Sequence, residues 1–312
     1  MRFSPRTVGI AAAVVTVAIW TGFIVIGRAS AGRTLLPFDI ALLRIVGASA
    51  VLLPWGWWLT RGRRGGASSS LLGLSPLPLR QTVLAGFFGG FLYAILCYAG
   101  FFFAPAAHAS VLMPGSLPLW TALLAAVMLR DRITPARALG LACIVVGDAV
   151  VGGASLLQAF DGGSVWKGDV IFMSAALCWS VYSVLARRFG LEAVRATIAI
   201  TAFAFCSYVP LFVGLTASGV LPTRLASAPW GEIAFQALFQ GVGSVAISGI
   251  TFTQMIRHFG PVRSTMITAL VPGLSALGAV IFLGEPLGLG LIGGLALVTA
   301  GILFGVRAAR KP

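Results

Sequence analysis

The sequence predicts an all-α integral membrane protein with ten transmembrane helices, arranged as two five-helix repeats of inverted topology. Three observations lead to this fold class. First, the 312-residue chain is 58% hydrophobic and only 10% charged, with a mean hydropathy of +0.99, whereas a soluble domain carries about 25% charged residues. Second, ten apolar stretches are long enough to cross a bilayer. Third, a pattern in the first half recurs 154 residues later.

Each apolar stretch is about 20 residues long, the length of helix that spans the hydrocarbon core of a bilayer. In lipid the backbone must satisfy its own hydrogen bonds, and stretches of this length fit helices rather than the short strands of a barrel. The predicted spans are Val8–Gly27, Pro37–Leu59, Thr82–Phe103, Ala109–Leu129, Pro135–Gly153, Asp169–Ala186, Ala196–Gly219, Gly231–Thr253, Ser264–Gly284 and Leu287–Val306.

The repeated unit begins at Ser110 and contains prolines, an acidic turn and two glycines. Its matched pairs, each 154 residues apart, are Ser110 and Ser264, Pro118 and Pro272, Leu129 and Leu283, Asp131 and Glu285, Gly140 and Gly294, and Gly147 and Gly301. A shift of half the chain indicates two copies of one unit rather than a solenoid. The single membrane domain therefore divides into a first repeat (1–153), an outer linker (154–167) and a second repeat (168–312).

The basic residues predict the orientation of the chain. A cytoplasmic N-terminus places 17 of the 22 Lys and Arg residues in cytoplasmic segments and four in outer loops, while Arg44 lies inside a span. This distribution satisfies the positive-inside rule. Because each half has an odd number of spans, the two repeats cross the membrane in opposite directions, as in many secondary transporters. We expect a bacterial-type inner (plasma) membrane protein with both termini cytoplasmic.

Several other classes of protein are excluded. The net charge of +14 suggests nucleic acid, but the basic residues form small clusters between apolar stretches, as in cytoplasmic loops. The four cysteines lie singly in apolar stretches and the two histidines lie at helix ends, so no disulfide, metal site or cofactor is expected. An enzyme needs a buried nucleophile with a base, or a metal cluster, and neither is evident. The expected partners are the lipid bilayer and a small-molecule substrate, with no obligatory protein partner.

The candidate substrate-binding residues are mainly aromatic. Five of the eight tryptophans lie at span ends, where Trp marks the membrane interface, but Trp20, Trp120 and Trp179 fall near mid-span. An indole N–H facing lipid there would lack a partner, so these three should point inward. Three tyrosines extend the set: Tyr93, Tyr98 and Tyr182. Large core side chains at helix contacts are the alternative, but close helix packing in membranes favours small residues, so we prefer a cavity.

Span eight adds polar candidates on one helical face: Gln240, Ser244, Ser248 and Thr251 recur at intervals of four, four and three residues. They either line a wet pathway or hydrogen-bond to a neighbouring helix.

Prolines inside spans are expected to kink their helices and expose backbone carbonyls, at Pro114, Pro118 and Pro272. Such breaks either present backbone groups to substrate or serve packing alone.

Taken together, the motifs resemble the drug/metabolite transporter superfamily, in particular its ten-helix EamA-type members. They are the doubled proline-to-acidic-turn unit, Ala107-x-Ala109-Ser110, Lys167-Gly168-Asp169 with Trp179 following, and Arg44. The turns depart from the family's usual Gly-Glu-Arg, so their acids receive no functional role. The resemblance implies a cavity bounded by spans one to four and six to nine, with spans five and ten outside, and it favours the aromatic amino acid exporters.

Two charged residues lie within the membrane at similar depth, Arg44 about 10 Å and Asp148 about 7 Å inside the outer ends of their spans at 1.5 Å per residue. An intramembrane charge usually has a partner, so we expect these two to pair. The pair is expected to be structural, because span five should lie away from the cavity. No Asp or Glu occupies the middle of a span, which argues against tight proton coupling.

The expected function is a secondary transporter that exports small metabolites by alternating access, with amino acids, including aromatic ones, as favoured substrates. Aromatic walls suit aromatic metabolites through stacking and an ammonium group through cation–π contact. With no carboxylate at the cavity centre, a zwitterion is favoured over a dication. The alternatives are a multidrug or quaternary-amine exporter and a channel-like facilitator.

Overall fold

A computed structural model describes residues 4–30, 33–61, 71–104, 106–159, 163–284 and 289–307. Within these ranges the chain contains helices and no strand, so the all-α class is confirmed. The helices are α1 (Pro5–Ser30), α2 (Pro37–Arg61), α3 (Leu79–Gly100), α4 (Ala106–Met128), α5 (Pro135–Ala159), α6 (Val165–Arg188), α7 (Ala193–Ala217), α8 (Trp230–Phe259), α9 (Pro261–Thr268 continued by Val271–Leu283) and α10 (Leu289–Arg307).

Helix covers every predicted span in whole or in part. In the described ranges, seven helices are long and apolar enough to cross a membrane, namely α1, α2, α3, α6, α7, α8 and α9. The other three contain shorter apolar segments, at Leu112–Met128, Pro135–Gly147 and Ile292–Gly301. The crossing of these three remains a prediction. One boundary differs, because α5 continues to Ala159 and covers the first six residues of the predicted linker.

The glycines of the repeat lie in the interface between α5 and α10. A Cβ atom on Gly147 would lie 2.7 Å from the carbonyl oxygen of Gly294, and one on Gly301 would lie 2.5 Å from the carbonyl oxygen of Gly140. The two contacts are reciprocal, since the shift of 154 residues that pairs Gly140 with Gly294 also pairs Gly147 with Gly301. Small residues let membrane helices approach closely. These four glycines therefore serve helix contact.

Replacing Gly147 with valine is expected to reduce the yield of folded protein, because the new side chain meets backbone atoms of Gly294 and Val298 in α10 as well as the Val298 side chain, and the backbone atoms cannot turn aside. Overpacking of this kind costs about 1–3 kcal/mol. Fluorescence-detected size-exclusion chromatography of the tagged protein measures the yield. Gly293→Val is the matched control, since a Cβ there has nothing within 4 Å. Equal yields from the two variants would contradict this account of the interface.

α3 and α8 each contain a π-helical segment that the sequence did not predict. The segments are Phe87–Phe91 in α3 and Ala237–Ile247 in α8. Adding 154 to the residue numbers of the segment in α3 gives 241–245, which lies inside the segment in α8. The short 3₁₀ turns that precede these helices, Leu71–Gly73 and Leu225–Ser227, are also 154 residues apart. π segments interrupt the helical hydrogen-bond register and often occur at functional sites.

The intrahelical prolines behave differently in α4 and α9. α4 stays helical through Pro114 and Pro118. α9 is interrupted at residues 269–270, directly before Val271 and Pro272. Proline lacks an N–H and disfavours helical geometry in the residue before it, which accounts for a break at this place.

The helices around the centre of the bundle contact one another in corresponding sets. α1 packs on α8 and α9, and α6 packs on α3 and α4, while α2 packs on α7 and α8 and α7 packs on α2 and α3. The contacts of α1 and α2 become those of α6 and α7 when each helix is exchanged for its counterpart in the other half, namely α1 for α6, α2 for α7, α3 for α8 and α4 for α9. α5 and α10 pack chiefly on each other.

Candidate substrate-binding site

A central cavity lies between α1, α2, α3, α4, α6, α8 and α9, with about 520 Å³ of space free of protein atoms when the open solvent at its mouth is included. Its wall is largely aromatic and apolar, and a guanidinium group and a hydroxyl group supply polar contacts. The residues on which its chemistry depends are Trp20, Phe23, Arg44, Tyr93, Trp179 and Ser244, and Pro114 contributes from α4. Among the side chains that the structure describes, none from α5 or α10 lines it.

A second cavity of similar size adjoins the first between α2, α3, α6, α7 and α8. Tyr182 lines this space together with Gly89 and Gly90 of the π segment in α3. The two cavities share four lining residues: Arg44, Tyr93, Trp179 and Ser244. These four side chains therefore stand between the two spaces and face both.

Trp179 is the centre of an aromatic cluster. Its ring centroid lies 4.9 Å from that of Tyr93, 6.0 Å from that of Trp20 in an edge-on arrangement, and 5.5 Å from that of Phe252. Tyr182 is also in contact, at 5.2 Å between centroids. Each aromatic pair of this geometry contributes about 0.5–1.5 kcal/mol beyond its buried area. The cavity wall is therefore held by mutual packing of its own side chains.

Hydrogen bonds fix several of these rings from the side away from the cavity. The indole N–H of Trp20 donates to Oγ of Ser248 at 3.2 Å. The hydroxyl groups of Tyr182 and Thr253 lie 2.7 Å apart and form a hydrogen bond. The indole nitrogens of Trp120 and Trp179 are buried without a hydrogen-bond partner. The indole of Trp179 is thus a cavity-lining donor without a partner among the described residues.

Arg44 is the charged residue of the central cavity. Its side chain is 9% exposed, donates from Nη1 to Oγ of Ser244 at 2.8 Å, and places Cζ 5.7 Å from the ring centroid of Phe23. Among the described residues, no carboxylate contacts it. The side chain of Asp148, its predicted partner, lies outside the described residues, so that pair remains a prediction.

A larger cavity, of about 1170 Å³, opens at the end of the bundle where α1 ends and α2 begins. We call it the vestibule. It shares Phe23 with the central cavity, and its wall also includes Tyr98 and Gln240, whose hydroxyl and Oε1 are 3.5 Å apart. Arg33 and Arg224 also line it. Leu77, Leu191 and Ile256, at or near the opposite ends of the helices, belong to a packed hydrophobic core that extends to Trp179.

The structure brings most of the predicted substrate-binding residues to these cavities. Those that line the central or adjoining cavity are Trp20, Tyr93, Trp179, Tyr182 and Ser244. Tyr98 and Gln240 line the vestibule. Trp120 packs against the aromatic cluster. The polar face of α8 is divided: Ser248 and Thr251 hydrogen-bond to α1, whereas Gln240 and Ser244 line cavities.

Sequence reasoning missed two aromatic residues of the site. Phe23 lies three residues after Trp20 and therefore on the same face of α1, so helical spacing could have found it. Phe252 stacks on Trp20 at 5.2 Å, but it follows a π segment that shifts the helical register, and a face counted at 3.6 residues per turn does not identify it.

The helical bundle with a central aromatic cavity is the architecture of a membrane transporter, and comparison with known proteins identifies the family. The sequence profile of the EamA-like transporter family matches residues 7–153 and 166–307. The chain therefore belongs to the EamA-like transporter family, within the drug/metabolite transporter superfamily. It is a multi-pass membrane protein and a transporter rather than an enzyme.

Individual relatives agree with this assignment. The chain is 26% identical over 233 residues to the uncharacterized transporter YyaM of Bacillus subtilis (strain 168), covering 74% of each protein. It is 31% identical over 233 residues to a probable terminal-alkyne amino-acid exporter of Streptantibioticus cattleyicolor, covering 72% of each. A protein known from a crystal structure has the same fold, with a TM-score of 0.65, 23% identity and 97% of each chain covered.

Proposed function

We propose that the protein is a secondary transporter of amino acids, including aromatic ones, that works by alternating access and serves as an exporter. The observation that carries the proposal is the aromatic wall of the central cavity, formed by Trp20, Tyr93 and Trp179. Such rings stack on an aromatic side chain and attract an ammonium group. The relative described as a probable amino-acid exporter supports the same substrate class.

The proposed topology is ten spans in two inverted repeats. Support comes from the reciprocal glycine contacts between α5 and α10, the corresponding π segments of α3 and α8, and the two segments matched by the family profile. Two similar halves around a central site have two near-equivalent packings, and rocking between them exposes the site to each side in turn. The positive-inside rule places both termini in the cytoplasm and the vestibule at the outer face.

A competition assay in proteoliposomes tests the proposed substrate class. Uptake of labelled phenylalanine is measured with an excess of each unlabelled amino acid or of a quaternary amine such as tetraethylammonium. We expect tyrosine and tryptophan to suppress uptake, because the aromatic wall accepts each of them, and quaternary amines to have little effect. Transport of the amines with no competition from amino acids would overturn the proposal in favour of a multidrug exporter.

Transport is expected to need no proton gradient. Within the described part of the chain, the two buried carboxylates lie near helix starts: Asp39 accepts hydrogen bonds from the backbone of Leu36 and Arg224, and Asp169 pairs with His108 at 2.8 Å. Neither lines the central cavity, where coupled carriers commonly place a titrating acid. Abolishing the pH gradient with an ionophore should therefore leave phenylalanine uptake unchanged. Loss of uptake would show tight coupling.

A further inference from the structure

We infer that Arg44 binds the carboxylate of the transported molecule, so that the central cavity selects substrates that carry an anionic group. The inference rests on the proposed function, in that it takes the central cavity as the substrate site. It gives Arg44 a different role from the structural ion pair that the sequence predicted.

The first argument is the state of the buried charge. A guanidinium group has five N–H donors, and in the described residues Arg44 donates to the hydroxyl of Ser244 and also interacts with the hydroxyl of Tyr98, both of them neutral groups. A charge held within a membrane protein is normally paired, because its burial is costly. Arg44 is nine-tenths buried and lines both the central and the adjoining cavity. Because these two contacts engage fewer than its five donors, Arg44 has N–H groups left for a substrate in the space that it lines.

The second argument is the chemistry of the neighbouring groups. Oγ of Ser244 accepts the Arg44 hydrogen bond, which leaves its own hydrogen for another acceptor. A guanidinium fork and a hydroxyl donor together match a carboxylate, to which arginine binds with two parallel hydrogen bonds. On the same cavity wall, the rings of Trp20 and Trp179 supply faces for an ammonium group and an apolar side chain. The arrangement fits an α-amino acid.

The third argument is that the backbone is built to bring these two donors together. Gly47 of α2 and Gly241 of α8 meet in direct backbone contact, and a Cβ on Gly241 would lie 2.6 Å from the backbone nitrogen of Ala48. Arg44 and Ser244 each lie three residues from one of these glycines, about one turn away. The close helix crossing therefore sets the distance between the guanidinium and the hydroxyl.

Competition by substrate analogues tests the inference. Uptake of labelled phenylalanine is measured in the presence of unlabelled phenylalanine, phenylalaninamide or phenethylamine. Phenylalaninamide and phenethylamine lack the anionic carboxylate group. For the wild-type protein, we expect the amide and the amine to compete at least about tenfold more weakly than the amino acid, which corresponds to 1.4 kcal/mol. Arg44→Gln should lose most phenylalanine uptake and the preference for phenylalanine over its amide. Arg44→Lys should retain part of both, because lysine keeps the positive charge but lacks the planar guanidinium group that forms two parallel hydrogen bonds.

Two further variants keep the test decisive. Ser244→Ala keeps the charge of Arg44 but removes the hydroxyl that accepts its hydrogen bond; with uptake normalised to folded protein, it should weaken phenylalanine binding while leaving the amide unaffected. Asp148→Asn is the matched control for the ion pair and should preserve the preference for the acid. Loss of that preference in Asp148→Asn, or its persistence in Arg44→Gln, would overturn the inference. A wild-type protein that transports phenylalanine and its amide equally would overturn this inference alone, whereas one that transports no amino acid would overturn the proposed function as well.

Discussion

Trp179→Ala is expected to reduce aromatic amino-acid uptake at least about tenfold, a loss of 1.4 kcal/mol or more. The indole lies between the central and adjoining cavities and contacts Trp20, Tyr93 and Phe252. Its removal joins the two spaces and deletes one of the indole rings that line the central cavity. Uptake into proteoliposomes, normalised to the amount of folded protein, measures the effect.

Normalisation is needed because truncation of a buried tryptophan costs about 3–5 kcal/mol of stability. Trp179→Phe preserves a ring at the site and should retain a substantial part of the uptake. Trp230→Ala is the control for loss of a tryptophan as such, since this side chain is 83% exposed, and it should behave like the wild-type protein. Unchanged uptake by Trp179→Ala, or an equal loss in Trp230→Ala, would show that the aromatic cluster does not form the substrate site.

Gly47→Leu is expected to abolish the yield of folded protein. A Cβ atom on Gly47 would clash with the carbonyl oxygen of Ala237, and its contacts are backbone atoms that cannot turn aside as a side chain would. The same crossing positions Arg44 against Ser244, so a displaced α2 also loses the polar part of the site. Fluorescence-detected size-exclusion chromatography after mild solubilisation measures the yield.

The matched control is Gly214→Leu in α7, where a Cβ has nothing within 4 Å. This variant should be recovered at wild-type levels, since position 214 is exposed and the Cβ of the new side chain has open space around it. Comparable recovery of Gly47→Leu would mean that α2 and α8 do not cross in close backbone contact.

The helical fold was predictable because few backbone conformations can cross a lipid bilayer. An apolar stretch of about 20 residues must satisfy its backbone internally, so hydropathy alone locates the helices. The repeat was also visible in the sequence, but its meaning was not: Gly147 and Gly301 stood out as matched positions, and the structure shows that they contact the opposite copy's glycines. Which helices meet is decided by packing between halves, which no local pattern records.

The site was predictable where one rule applied, namely that a mid-span indole should avoid lipid. This reasoning found Trp20 and Trp179, which line the central cavity. It did not find the hydrogen bond from Arg44 to Ser244, because Ser244 lies on a π segment whose register the sequence does not reveal; the pair of Arg44 with Asp148 remains a prediction. The π segments were not predictable, because helical periodicity does not register them, whereas the break before Pro272 follows from the proline itself.

Counterflow tests the central claim most directly, because it separates a carrier that alternates between two packings from a pore. Labelled phenylalanine is supplied outside proteoliposomes that are preloaded with unlabelled phenylalanine. The proposed carrier predicts that preloading raises the initial rate of uptake, gives a transient overshoot of label and leaves the rate saturable with outside concentration. A flux that ignores preloading and rises linearly with concentration would contradict alternating access and indicate a channel.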